Sequence, residues 1–172
     1  MAKRTVLIAP DPRLKQVAAP VARVDRGIET LIDDMLETMY AAPGVGLAAP
    51  QIGEGKRVIV LDVSKDEAPK QPYAMVNPEL VWVSDEDASY EEGCLSVPEH
   101  YANVTRPARV RVRFLNRRGL SEELEADGLL ATVIQHEMDH LDGILFIDHL
   151  TSLKRNMILR KLLKTRKAEP VS

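Results

Sequence analysis

The feature that most limits how this chain can fold is the run Gln135-His136-Glu137-Met138-Asp139-His140-Leu141-Asp142-Gly143. Around it Leu129, Leu130, Val133, Ile134 and Leu141 recur at helical spacing, and such a stripe has to be buried. Asp127 suits an N-cap and Gly143 a C′ glycine, so the spacing predicts a helix between them. Polar residues hemmed in by core residues make a poor surface, so the pattern predicts a polar site inside the protein. On a helix, residues i and i+4 share a face, and the imidazoles of His136 and His140 can close on one metal ion. Glu137 then leans over the open position and can take a proton from bound water. The pentad also fits a charged helix whose buried histidines are only hydrogen-bonded, and it supplies two ligands where a catalytic site of this kind wants three.

The chain has 172 residues, 45% of them hydrophobic and 28% charged. That balance predicts one folded domain over residues 1–172, not a disordered chain. A net charge of -3 gives no whole-protein reason to expect nucleic-acid binding. No apolar run is long enough to cross a membrane, and the opening Met1-Ala2-Lys3-Arg4-Thr5-Val6-Leu7-Ile8 is too short for a secretory signal. The single cysteine, Cys94, allows no internal disulfide and suits a reducing compartment. The expectation is a cytoplasmic, monomeric enzyme.

From Asp25 onward, Ile28, Leu31, Ile32, Met35, Leu36 and Met39 predict a helix ended by Ala41-Ala42-Pro43-Gly44. The segment Gly44-Val45-Gly46-Leu47-Ala48-Ala49-Pro50-Gln51 is a tight turn or a place where backbone comes close to an extended peptide. Residues 57–63 read as a strand, and residues 74–77 and 80–83 as short strands broken by Pro78. Residues 84–89 read as an acidic solvated turn. In Tyr90-Glu91-Glu92-Gly93-Cys94-Leu95-Ser96-Val97-Pro98, Cys94 is an inert buried thiol, a nucleophile or a metal ligand. Residues 108–115 alternate, with Val110, Val112 and Phe114 facing in and Arg109, Arg111 and Arg113 facing out. A hairpin at Asn116-Arg117-Arg118-Gly119 leads to residues 122–126, whose glutamates can pair with those arginines. From about Thr151 a last helix carries Lys154, Arg155, Arg160, Lys161, Lys164, Arg166 and Lys167. Its basic side is a solvated face or a surface for RNA phosphates.

Together, Gly44-Val45-Gly46-Leu47-Ala48-Ala49-Pro50-Gln51, Glu92-Gly93-Cys94-Leu95-Ser96 and Gln135-His136-Glu137-Met138-Asp139-His140 resemble the three motifs of the peptide deformylase family, in order. Residues 10–14 and the chain length agree with it. The resemblance implies an α+β fold, with antiparallel strands packed around the central His-Glu-x-x-His helix and a helical C-terminus. It implies removal of the N-formyl group from the initiator methionine of nascent polypeptides, with release of formate. Cys94, His136 and His140 then form a ligand set that leaves a fourth position for water, whose pKa the metal lowers to about 7. Glu137 is the general base, and Gln51, the Leu95 backbone N–H and the metal stabilise the oxyanion. Gly46 aligns the peptide, Val45, Leu129 and Val133 line the methionine pocket, and Glu92 contacts the peptide backbone. The implied native metal is Fe(2+), with Zn, Ni or Co able to substitute, and the basic C-terminal helix can bring the enzyme to the ribosome. Where many bacterial relatives carry an arginine, this chain has His100-Tyr101, which changes contacts to the far part of the peptide. His100 and His149 match no family ligand and are expected to be structural or exposed.

The nearest rival is a zinc endopeptidase, but the third histidine of the metzincin pattern would fall where Phe146 stands. A later glutamate ligand would have to be Glu169. A second rival, an RNA-binding module with a vestigial site, has no use for Glu137.

Overall fold

The computed structural model describes residues 2–168, so Glu169 and the tail that follows lie outside the described residues. Helix α1 (Arg26–Ala41) begins where the Asp25 side chain accepts a hydrogen bond from the Ile28 N–H, an N-cap that satisfies one of the first turn's free donors. A five-stranded antiparallel sheet follows, in the order β1 (Gly46–Ala48), β2 (Val58–Leu61), β3 (Tyr73–Val83), β6 (Arg109–Leu115) and β7 (Ser121–Asp127). The hairpin of β4 (Asp87–Cys94) and β5 (Val97–Pro107) forms a separate two-stranded sheet between β3 and β6 in sequence. Helix α2 (Gly128–Leu141) comes straight out of β7, and α3 (Ser152–Ala168) closes the described chain.

The two faces of β2 show how the layers form. Ile59 and Leu61 pack with Val110, Val112, Ala131 and Ile134 on the α2 side. Val58 and Val60 pack with Ile28, Ile32, Met35 and Met39 of α1 on the other. A strand buried on both faces reads as a continuous apolar run, and Val58-Ile59-Val60-Leu61 is one. Strand β6 alternates along most of its length. Val110, Val112 and Phe114 are buried under α2 while Arg109, Arg111 and Arg113 face water. A third cluster, with Leu14, Val97, Val104, Phe146 and Leu162, packs the N-terminal segment and α3 against the hairpin.

Three expectations are corrected. Pro78 does not divide two strands: β3 runs through it, with a register shift between Val76 and Glu79. Asn77 takes φ 51 there and exchanges two hydrogen bonds with the Val21 backbone, so a bulge absorbs the proline. Residues 87–89 belong to β4 rather than to a solvated turn. Leu129, placed in the buried stripe of α2, is 48% exposed.

Candidate metal centre

Ten of the fourteen residues of α2 are buried, which makes it the central helix and brings its polar residues inside with it. Asp127 precedes the helix without a side-chain cap bond, and Gly143 takes φ 75 just beyond its end, a left-handed C′ position that suits glycine. His136 and His140 meet one helical turn apart, with ring centroids 5.1 Å from each other. The β4–β5 turn delivers Cys94 from the opposite side, its Sγ 3.4 Å from His140 Nε2. Ligand atoms of Cys94, His136 and His140 all lie within 4.8 Å of one another.

That set fits a metal ion. Tetrahedral bonds of 2.0–2.3 Å put donors about 3.3–3.8 Å apart, the range of the Cys94–His140 contact. The order of supporting groups agrees. Glu92 Oε1 lies 2.9 Å from His136 Nδ1, which turns Nε2 towards Cys94 and Glu137 and is the usual way a ligand histidine is oriented. Glu137 Oε2 is 4.0 Å from His136 Nε2 and its Oε1 is 4.0 Å from His140 Nε2. Glu137 Oε1 is buried with no hydrogen-bond partner, an acceptor directed at the place where the donors converge.

Charge in the site follows from burial. Burial pushes the Glu137 carboxyl up to about 7, with His136 opposing and Glu92 adding to the rise. Burial drives the His140 imidazole down, and His136 and Arg106 drive it further. Burial also disfavours charge on His136, but Glu137 and hydrogen bonds with Cys94 and Glu92 outweigh it and raise that ring. A cation and that proton compete for the same nitrogen, so metal binding releases it.

The site opens into a cleft of about 400 Å³ whose lining includes Val45, Gly46, Gln51, Leu95, His136 and Glu137. Gly46 lies on the edge strand β1, and a Cβ there would stand 2.5 Å from Glu137 Oε2, so only glycine lets the wall approach the carboxylate. Gln51 sits on a short 3-10 turn (Ala49–Ile52) directly after β1, 3.4 Å from Cys94 Sγ. On the far rim Tyr101 lies across Gly93, where a Cβ would meet its ring at 2.6 Å.

The structure therefore brings together Val45, Gly46, Gln51, Cys94, Leu95, His136, Glu137 and His140. Leu129 and Val133 are not among the residues lining this cleft, Leu129 being half exposed and Val133 packed into the core from α2. Glu92 does not face the cleft as expected. It is buried, and its carboxylate is spent on Arg106 and His136. Sequence reasoning missed Arg106, which also reaches Asp139 at 2.8 Å. The one available signal was Glu92 itself, since its place two residues before Cys94 on a strand puts both on one face and a buried carboxylate needs a partner. His100 and Tyr101 line the rim, and His149 Nε2 lies 2.8 Å from Asp139 Oδ2.

Comparison with known proteins follows the same lines. A family model described as polypeptide deformylase matches residues 3–156. The chain is 59% identical over 168 residues to the peptide deformylase of Phenylobacterium zucineum, covering 98% of this chain and 99% of that protein. It is 53% identical over 167 residues to the peptide deformylase of Rhizobium meliloti, covering 97% and 96%. Among solved structures, the peptide deformylase from Ehrlichia chaffeensis in complex with actinonin superposes with a TM-score of 0.93 at 38% identity, covering 98% of this chain and 100% of that one.

Proposed function

The chain belongs to the peptide deformylase family, and from that premise we propose how its residues divide the work of the reaction. The protein is a metal-dependent hydrolase that removes the N-formyl group from the initiator methionine of newly made polypeptides. In the proposed division Cys94, His136 and His140 hold the ion. When bound, the ion supplies a Lewis acid and lowers the pKa of a water in its open position to about 7. Glu137 takes a proton from the attacking water and passes it to the departing amine nitrogen, which frees formate and the new N-terminus. The Gln51 side-chain amide and the Leu95 N–H donate to the formyl oxygen as negative charge gathers on it. Gly46 lets the peptide lie extended along the β1 edge. Val45, which lines the cleft, receives the methionine side chain.

The observation that carries this reading is the unpartnered Glu137 Oε1 beside three converging ligand atoms, in a cleft whose glycine wall admits no side chain. A structural metal site has no need of such a carboxylate. We further propose Fe(2+) as the native ion, with Zn, Ni or Co as substitutes, because thiolate and imidazole ligands accept all of them. The rest of the proposal is a single catalytic domain over residues 1–172, a monomer working in the cytoplasm, with the basic face of α3 bringing it to the ribosome. No helix among the described residues is long and apolar enough to cross a membrane.

The test is formate release from a formyl-methionyl tripeptide, with metal analysis of anaerobically prepared protein. Glu137→Gln keeps the metal and loses about 100–10,000-fold in kcat, the usual worth of a general base. Cys94→Ala loses the metal as well. A full rate in Glu137→Gln ends this mechanism, and zinc without iron in the active wild type ends the assignment of Fe(2+).

A further inference from the structure

The Gln51 amide is held from several sides, and one of them is a residue to which no role in the reaction has been given. Its Oε1 accepts from the Ala48 N–H at 2.9 Å, which settles which end of the amide faces inward. Its Nε2 donates to the Ser96 hydroxyl at 3.0 Å and lies 3.4 Å from Cys94 Sγ. An amide nitrogen carries two N–H bonds. The Ser96 hydroxyl takes one and the Cys94 sulfur faces the other, so the plane of the amide is set where Gln51 borders the cleft.

Ser96 itself is completely buried and does not line the cleft. It lies two residues past Cys94 and forty-five from Gln51 in sequence, so the contact joins the segment that carries the cysteine to the segment that carries the amide. The backbone is braced at the same two places. The Leu7 N–H donates to the Gln51 carbonyl at 2.7 Å, and the Ala9 N–H donates to the Ser96 carbonyl at 2.8 Å. One N-terminal segment thus ties both segments together from behind, and the hydroxyl sets the orientation of the amide between them.

We propose that Ser96 is the positioning residue of the oxyanion donor: its hydroxyl orients the Gln51 amide towards the formyl oxygen without touching substrate itself. This rests on the reading of Gln51 as an oxyanion donor. Because the donor must be in place before charge develops, a loosened amide lowers kcat and leaves substrate affinity alone.

The experiment is a double-mutant cycle of Gln51→Ala and Ser96→Ala in the metal-loaded enzyme, read as kcat and KM on a formyl-methionyl tripeptide with metal content beside them. Removing a donor outright costs about 100–1,000-fold, and misorienting it in Ser96→Ala is expected to cost about tenfold in kcat, with KM and metal content unchanged. The double variant should be no slower than Gln51→Ala alone, since the hydroxyl acts only through the amide. A Ser96→Ala enzyme with the wild-type kcat overturns the proposal, and so does a double variant that shows the full product of the two losses. A wild-type kcat in Gln51→Ala overturns the prior reading of Gln51, and this inference with it. Should Ser96→Ala fail to fold, Ser96→Cys keeps the volume with a weaker acceptor; an intermediate kcat supports the proposal and an unchanged one sinks it.

Discussion

Two of this molecule's groups of arginine–carboxylate pairs contrast most in their access to water. Behind His136 and His140, Arg106 Nε and Nη2 meet Glu92 at 2.7 and 2.9 Å, and Nη1 meets Asp139 at 2.8 Å. The side chains of Arg106 and Glu92 are 6% and 4% exposed. On the outer face of β6 and β7, Arg111 and Glu125 stand 3.6 Å apart and Arg113 and Glu123 3.5 Å, all about half exposed. The outer ladder follows from strand register, Arg111 opposite Glu125 and Arg113 opposite Glu123, and solvent weakens it. The inner cluster is different in kind. Burial works against the Glu92 carboxylate, yet hydrogen bonds from Arg106 and His136 outweigh it and hold the group below the ordinary glutamate value. Desolvating such ions consumes most of what their attraction returns, so the cluster is poorly explained as a source of stability. Its use is orientation: it fixes the carboxylate that fixes His136.

Breaking the inner cluster is expected to have the largest effect. Arg106→Ala leaves Glu92 and Asp139 without their shared cation and costs about 3–5 kcal/mol of stability, measured by urea unfolding of the metal-loaded protein; a loss as small as that of an outer pair would erase the distinction. Next comes Glu92→Gln, which keeps the shape and weakens the hold on His136. Metal affinity, read by competition with a chelator, should drop about 10–100-fold. A third pair sharpens the comparison from the middle, because Asp34 is buried while its partner Arg4 is 35% exposed. Burial pushes Asp34 up, but the Arg4 hydrogen bond and the Ala2 N–H outweigh it and lower its pKa. The stability it contributes is therefore complete above the ordinary aspartate value of about 3.9 and is lost as pH falls through the lowered one. Asp34→Asn should cost about 1 kcal/mol at neutral pH, and the gap between the two unfolding curves should close in acid. Smallest is Arg111→Ala, at no more than about 0.5 kcal/mol and shrinking with added salt.

The same contrast marks what could be read from the residues alone. The start of α1 at Asp25, the alternation of β6 and the i, i+4 histidines of α2 are local patterns, and each lies where the spacing put it. The ladder glutamates were legible because a short hairpin determines register. What escaped depends on partners distant in sequence. Pro78 reads as a strand break until Asn77 is seen clamped to Val21 across fifty-six residues. Strand β5 carries Pro98 near its start and Pro107 at its end, in a two-stranded sheet with an open edge where a missing N–H is tolerated. The family resemblance gave Glu92 to the peptide. Only the fold shows Arg106, fourteen residues on, turning back to occupy it. Nothing in the spacing of an arginine between Thr105 and Pro107 separates a buried ion from a solvated one.

The contact between Gly46 and Glu137 has a consequence for antibiotic design. An inhibitor that presses its own backbone against β1 leans on a position where every substitution adds at least a Cβ, and that carbon collides with the Glu137 carboxylate. Escape by mutation is closed at that wall. His100 and Tyr101 border the cleft on the far rim instead, so a compound anchored at Gly46 that makes no use of the rim rests on the wall where no side chain fits.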